Sequence, residues 1–172
     1  MRERIVLFPS QLGWIALHVR GGAVGQLVFG CATPQAALAR LGAAALDSAA
    51  VGSWNRALTK RLQAYAAGVR VDFLDVEIDL GPQTEFQRRV IAGCRRVAYG
   101  SSLTYGALAE AAGFPRAARA VGNVMRSTPV PLIVPCHRVV GTALSHRGSS
   151  GEAERMRLRN LEMKVMAREK PS

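Results

Sequence analysis

The sequence predicts two successive units: a small α/β unit over residues 1–82, an antiparallel sheet with helices, and a mostly helical unit over residues 83–172 built around a helix-turn-helix. Three observations predict this. The first thirty positions hold short apolar or alternating runs separated by turn residues. Gly81-Pro82 closes the last alternating run, and both pattern and charge change beyond it. Two short helical segments joined by Gly113-Phe114-Pro115 then follow, as in a helix-turn-helix.

The charge shift is large. Of a net +11, residues 1–82 carry 8 Lys and Arg against 6 Asp and Glu, whereas residues 83–172 carry 15 against 6. A basic half suits a polyanion, because Lys and Arg that neutralise phosphates release condensed counterions; charge alone fits a solvated basic surface equally well. No stretch approaches the roughly 20 apolar residues that a membrane span requires, and Met1-Arg2-Glu3-Arg4 lacks the apolar core of a signal peptide. The expectation is a soluble cytoplasmic protein without membrane contact. Three widely spaced cysteines, Cys31, Cys94 and Cys136, suggest neither a disulfide framework nor a zinc knuckle, so free thiols in a reducing compartment are expected.

In the first unit, Arg4–Phe8, Trp14–Val19 and Val24–Phe29 read as strands, with turn chemistry at residues 9–13 and 20–22. Thr33-Pro34 reads as an N-cap with proline at the first helical position, opening an alanine-rich helix to about Leu46. Ser53–Ala67 spaces Trp54, Leu58, Leu62 and Tyr65 as one helical face, with Gly68 at the C-terminal cap. Leu74–Leu80 alternates apolar and acidic residues, the pattern of a strand with one face buried.

In the second unit, Thr84-Glu85-Phe86-Gln87 fits a capping box. The helix it opens places Phe86, Val90, Ile91, Cys94 and Val97 on one face and arginines 88, 89, 95 and 96 largely on the other, so Cys94 reads as a buried structural thiol. Thr104 opens a short helix to about Ala112, and Pro115 opens another from Arg116 to about Arg126. In that last helix, Ala117, Ala118, Ala120, Val121 and Gly122 are small enough to approach a groove, and Arg116 and Arg119 offer phosphate or base contacts. The same run of small residues also describes a packed core helix. Thr128-Pro129-Val130-Pro131 is a stiff connector, and Leu132-Ile133-Val134 reads as a short buried strand delivering Pro135-Cys136-His137.

Cys136 is the candidate nucleophile. A thiol reacts as thiolate and ordinarily titrates near ~8.5, so it needs a base or a positive field beside it. His137 and Arg138 are adjacent, but neighbours on an extended chain point to opposite sides, and only a turn at Cys136 would bring them together. A core cysteine followed by a satisfied histidine is the plainer reading of the pair taken alone.

Thr104-Tyr105, Arg116-Ala117-Ala118-Arg119-Ala120-Val121-Gly122, Met125-Arg126, Pro129-Val130-Pro131 and Val134-Pro135-Cys136-His137-Arg138-Val139-Val140, in this order and spacing, resemble the O6-alkylguanine-DNA alkyltransferase family. The resemblance runs from about Thr84 to Glu162. It implies a ribonuclease-H-like N-terminal domain, a winged-helix-like C-terminal domain, and an irreversible single-turnover reaction: the protein's own cysteine takes an alkyl group from O6 of guanine, or O4 of thymine, in duplex DNA.

By position, the resemblance makes Cys136 the acceptor, His137 the base that draws off its proton through a water, and Glu162 the carboxylate that orients that histidine. Tyr105 falls where the family crowds the 3′ phosphate and reaches guanine N3, and Arg119 where an arginine fills the space of the flipped base. Ala118, Gly122, Arg126 and Arg116 complete the DNA face, read from the minor groove by a monomer. Val139, Ser149 and Arg138 fall at the base pocket, the carbonyls of Cys136 and Val139 facing the guanine amino group. The segment that closes over the base falls at residues 145–151 and contains no tyrosine here, with His146 as a partial substitute, and Thr128 stands where the family usually has asparagine. Both departures imply slower transfer or altered alkyl preference. No cofactor or metal is implied, since His18 and Cys31 are too few for a tetrahedral zinc site. The alternatives are a sensor or impaired relative that flips lesions without transfer, a winged-helix regulator with a structural Cys136, and, least supported, a cysteine hydrolase.

Overall fold

The computed structural model describes residues 3–42, 50–51, 53–141 and 150–169. The chain separates into two compact units, one of Met1–Val71 with Asp75–Gly81 and one of Asp72–Leu74 with Pro82–Ser172.

In the first unit, β1 (Glu3–Phe8), β2 (Trp14–Arg20) and β3 (Ala23–Cys31) form an antiparallel meander, with Glu3 opposite Arg20 and Phe8 opposite Ile15. Gly21 and Gly22 make the second hairpin with φ of 59° and 96°, the positive values that a two-residue turn between right-twisted strands requires. Helix α1 (Pro34–Leu41) starts where Thr33 Oγ1 accepts from Ala36 N at 3.1 Å. It buries Ala37 and Leu41 against Ile5, Ala16, Val28 and Cys31. The helix ends at Leu41, where Gly42 takes φ 92°, and residues 43–46 of the expected span lie outside the described residues.

A two-residue strand, β4 (Ala50–Val51), pairs in parallel with β1, so the sheet order is β3-β2-β1-β4 and the sheet is mixed. So short a strand leaves no periodicity to detect. Helix α2 (Arg56–Ala66) begins two residues later than Trp54, capped by Asn55, and buries Leu58, Leu62 and Tyr65.

The expected strand over residues 74–80 is corrected by the structure. Its backbone meets β3 only at Val24, through Val24 N to Glu77 O at 2.9 Å and Asp79 N to Val24 O at 3.0 Å. Leu74 is 55% exposed, against the alternation, whereas Val76 is buried and Asp75 and Glu77 are exposed, in line with it. A single bridge supplies no ladder to hold the faces in register.

In the second unit, α3 (Glu85–Arg95) carries the capping box. Thr84 Oγ1 accepts from Gln87 N, and Gln87 Oε1 accepts from Thr84 N at 2.9 Å. Cys94 is fully buried on its apolar stripe beside Val90 and Ile91. Strand β5 (Leu103–Thr104) leads straight into α4 (Tyr105–Ala111). Helix α5 (Ala118–Ser127) starts two residues after the expected Arg116, because Arg116 takes a left-handed φ of 69° and helical geometry cannot pass through it. The link between α4 and α5 is tied to α3 by Phe114, which meets the Phe86 ring edge-on at 5.0 Å.

Residues 131–134 form a tight turn rather than the expected strand, with Leu132 at φ 72° and a bridge from Pro131 to Val134. Burial of Leu132, Ile133 and Val134 explains the apolar run. A 3-10 turn (Cys136–Arg138) follows, then β6 (Val139–Val140) and the long α6 (Ser150–Glu169). Leu103 and Thr104 pair with Val139 and Val140, which clamps the start of α4 to the end of the Cys136 turn. Among the described residues no helix is long and apolar enough to cross a membrane. Thr84→Ala, which removes one half of the capping box, is expected to lower the unfolding free energy by about 1 kcal/mol, measured by urea denaturation.

Candidate active site

Cys136 opens a 3-10 turn fastened by Cys136 N to Val134 O at 2.7 Å and Arg138 N to Pro135 O at 2.9 Å. Pro135 lacks an N–H, and the chain tightens behind it. Cys136, His137 and Arg138 share this turn and are all buried.

His137 has no exposed surface, and its Nε2 lies 2.8 Å from Glu162 Oε1. With Nε2 committed to a carboxylate, Nδ1 is the nitrogen left to accept a proton. Burial holds the imidazole below its ordinary value, against the pull of Glu162, so the resting ring is a neutral base. Burial likewise pushes the Cys136 thiol up, opposed chiefly by the positive charge of Arg155. An imidazole held this way on a carboxylate is arranged to accept a proton, since Glu162 would stabilise its protonated form.

Glu162 is 2% exposed. Besides His137 it accepts from Arg138 Nε at 3.1 Å on each oxygen, from Arg138 Nη2 at 2.9 Å and from Gly100 N at 2.9 Å. Gly100 presents that N–H from φ 74°, and a Cβ there would strike Met166. Arg138, expected at the base pocket, instead faces inward. Its Nη1 reaches Val97 O at 2.7 Å and its guanidinium lies 5.4 Å from the Tyr99 ring centre. All three nitrogens are spent on the protein, so Arg138 braces Glu162 rather than lining a pocket.

Tyr105, at the first position of α4, packs its ring toward Gly122, where a Cβ would lie 3.5 Å from the ring. Burial raises its hydroxyl pKa, and Arg155, Glu152, Arg126 and Cys136 all act on it electrostatically. On α5, Val121, Gly122, Val124 and Met125 are buried, whereas Arg119 and Arg126 are exposed and Ala118 is half-buried. The helix has one packed face and one basic open face, and Arg126 Nη2 holds Asn123 Oδ1 at 2.7 Å. Arg116 is exposed in the link. Thr128 Oγ1 donates to Val124 O at 2.8 Å, so its hydroxyl braces the helix end. Val139 is buried in β6, and its N–H donates to Cys136 O. Ser149 and His146 lie outside the described residues, as does the rest of the expected lid through 149.

Three participants were not expected from the sequence: Glu152, Arg155 and Arg159. Arg159 Nη1 donates to His137 O at 3.2 Å and its Nη2 to Glu152 Oε1 at 3.0 Å, and Arg155 Nη2 donates to Met125 O at 2.9 Å. The signal was the 3-4-3 spacing of 152, 155, 159 and 162, which places four charges on one helical face. Among the described residues no cluster of three or more His, Cys, Asp or Glu could hold a metal.

Residues 85–163 match the family model described as 6-O-methylguanine DNA methyltransferase, DNA binding domain. A methylated-DNA–protein-cysteine methyltransferase of Mycolicibacterium paratuberculosis is 43% identical over 96 residues, 56% of this chain and 57% of that protein. The chain thus aligns with little more than half the length of such curated relatives. The crystal structure of Mycobacterium tuberculosis O6-methylguanine methyltransferase is 32% identical, with a TM-score of 0.75 over 95% of this chain and 94% of its own. Mycobacterium tuberculosis OGT in complex with DNA gives 30% identity and a TM-score of 0.75, over 94% of each chain.

The lowered pKa of His137 has a consequence for stability. The unfolded chain binds a proton at this ring below 6.5 and the folded chain resists it, so unfolding free energy is expected to fall as pH drops through that value. Denaturation of wild type and His137→Gln across this range checks it, the variant showing the shallower slope.

Proposed function

We infer, from a chain that belongs to the 6-O-methylguanine DNA methyltransferase family, that this protein repairs alkylated DNA by direct reversal, moving an alkyl group from O6 of guanine to its own Cys136. The observation that carries the reading is the buried His137 Nε2 to Glu162 Oε1 contact of 2.8 Å, made by the residue that follows the cysteine. A histidine spent on a carboxylate inside the protein, next to a thiol in a 3-10 turn, is arranged for proton removal rather than for packing.

In the transfer, Sγ attacks the alkyl carbon and an S–C bond forms as the C–O6 bond breaks, its electron pair passing to the guanine ring. The thiol proton passes to His137, and one proton is ultimately taken up by guanine. The products are an S-alkylcysteine and an unmodified guanine, with no cofactor consumed. The thioether has no route back to thiol, so each molecule acts once.

The substrate is double-stranded DNA containing O6-alkylguanine, approached from the minor groove by a monomer, with O4-alkylthymine as a further substrate. The second unit acts as a winged-helix-like reader: α5 lies against the groove, Arg116 and Arg126 meet phosphates, and Arg119 occupies the space that the flipped base leaves. Base flipping is needed because O6 is shielded within the stack, and a damaged pair costs less to open. Tyr105 stands beside the rotated phosphate, and Ala118 and Gly122 permit close approach. Val139 and Ser149 contribute to the base pocket. The first unit is ribonuclease-H-like.

Incubation with duplex DNA containing O6-methylguanine is expected to add one methyl to the peptide carrying Cys136, read by mass spectrometry, and Cys136→Ala is expected to bind the duplex without gaining mass. Binding without methyl gain in the folded wild type would favour a damage sensor. Methyl gain in the Cys136→Ala protein would identify a different nucleophile.

A further inference from the structure

Glu162 is not alone on α6 in holding His137. Arg159, one turn earlier and therefore on the same helical face, donates from Nη1 to His137 O at 3.2 Å. Glu162 Oε1 lies 2.8 Å from Nε2 of the ring. One helix thus grips the histidine at both ends, the main chain by a guanidinium and the imidazole by a carboxylate.

The guanidinium is itself placed by the protein. Its Nη2 donates to Glu152 Oε1 at 3.0 Å. Glu152 is 9% exposed, and a carboxylate so far out of water attracts its cation more strongly than a surface one does. Arg159 spans a carboxylate and a carbonyl with two separate nitrogens, which suits the rigid fork of arginine; the single nitrogen of lysine does not reproduce it. Glu152 also lies 3.9 Å from Arg155 Nη1, and Arg155 Nη2 donates to Met125 O, at the end of α5, at 2.9 Å. That second arm ties α6 to α5. A brace of this kind is complete without Arg159, whose bond goes instead to the residue that Glu162 orients.

We propose that Arg159 is a positioning residue for the alkyl transfer: it holds the main chain of His137 while Glu162 holds the ring, with Glu152 keeping the guanidinium in place. The proposal rests on His137 as the base that serves Cys136. A ring gripped only at Nε2 can swing with its main chain, whereas two anchors on one helix leave it a single placement, and proton transfer depends on that placement. The guanidinium also sets a positive charge near the ring. The charged and titratable groups around His137 are Glu162 and Arg159 from α6, with Cys136 and Arg138 on its own turn. Glu162 favours the protonated ring, and Arg138 and Arg159 oppose it.

Two measurements test the role together: the single-turnover rate of methyl transfer from a duplex containing O6-methylguanine, and the titration of the His137 ring by nitrogen-15 NMR without DNA. In Arg159→Met the transfer rate at saturating duplex is expected to fall about tenfold, with duplex affinity within about twofold of wild type. The ring of that variant is expected to take up its proton at higher pH than in wild type, because an opposing cation is gone. Arg159→Lys keeps the charge but not the fork, so its ring titration stays near that of wild type and its transfer rate lies about threefold below. Arg155→Met cuts the arm to α5 and is expected to leave the ring titration unmoved.

Thermal unfolding identifies folded variants, and Arg159→Gln replaces the methionine variant if that one does not fold. A folded neutral variant in which either the rate or the ring titration matches wild type overturns the proposal. An Arg155→Met shift as large as that of Arg159→Met also overturns it, since the network would then be a helix brace alone. Methyl gain in the wild type with an unaffected Arg159→Met protein removes the role of Arg159 and leaves the repair reading standing. Absence of methyl gain in the wild type removes the repair reaction and this role with it, while the ring titration still shows whether Arg159 acts on His137.

Discussion

A carboxylate with 2% of its surface exposed carries a desolvation cost of several kcal/mol, and Glu162 offsets it with a histidine, a bidentate arginine and a backbone N–H. These partners come from two parts of the second unit: His137 and Arg138 from the Cys136 turn, and the N–H of Gly100 from the segment after α3. The ion pair is thus a joint, and removing Arg138 would leave the buried carboxylate without its cation. The chemistry follows from the same joint, because the ring it holds is kept neutral by burial and aligned by the carboxylate.

Local geometry around that joint is strict. Gly100 reaches Glu162 from a left-handed φ with Met166 where a side chain would go. Leu103 and Thr104 hold Val139 and Val140 in a two-strand parallel pair, so the end of the cysteine turn and the start of the tyrosine helix move as one piece. Gly122 leaves room for the Tyr105 ring, and the same helix turns Arg119 and Arg126 outward. One short helix therefore packs the site on one face and presents exposed arginines on the other.

Much of this was legible in the residues. The capping box at Thr84 and Gln87 shows at fixed spacing because both partners lie within one turn. The three N-terminal strands show because their turns need glycine. Other features depend on tertiary partners. The alternation from Leu74 to Leu80 reports faces and not whether a strand edge is available, and only one bridge forms. Leu132-Ile133-Val134 is as buried as a strand but turns, which composition does not encode. Arg138 reads as a surface or pocket residue until a buried carboxylate claims it. Glu152, Arg155 and Arg159 pass as solvated helix charges, since nothing in the chain shows that this face of α6 is covered.

In the proposed reaction His137 is a neutral imidazole that donates its Nε2 proton to Glu162 Oε1 and accepts the thiol proton at Nδ1. Nitrogen-15 NMR of the histidine ring at neutral pH measures this directly. A protonated Nε2 and an unprotonated Nδ1 are expected in the unreacted protein. An imidazolium, or a neutral ring protonated at Nδ1, would contradict it.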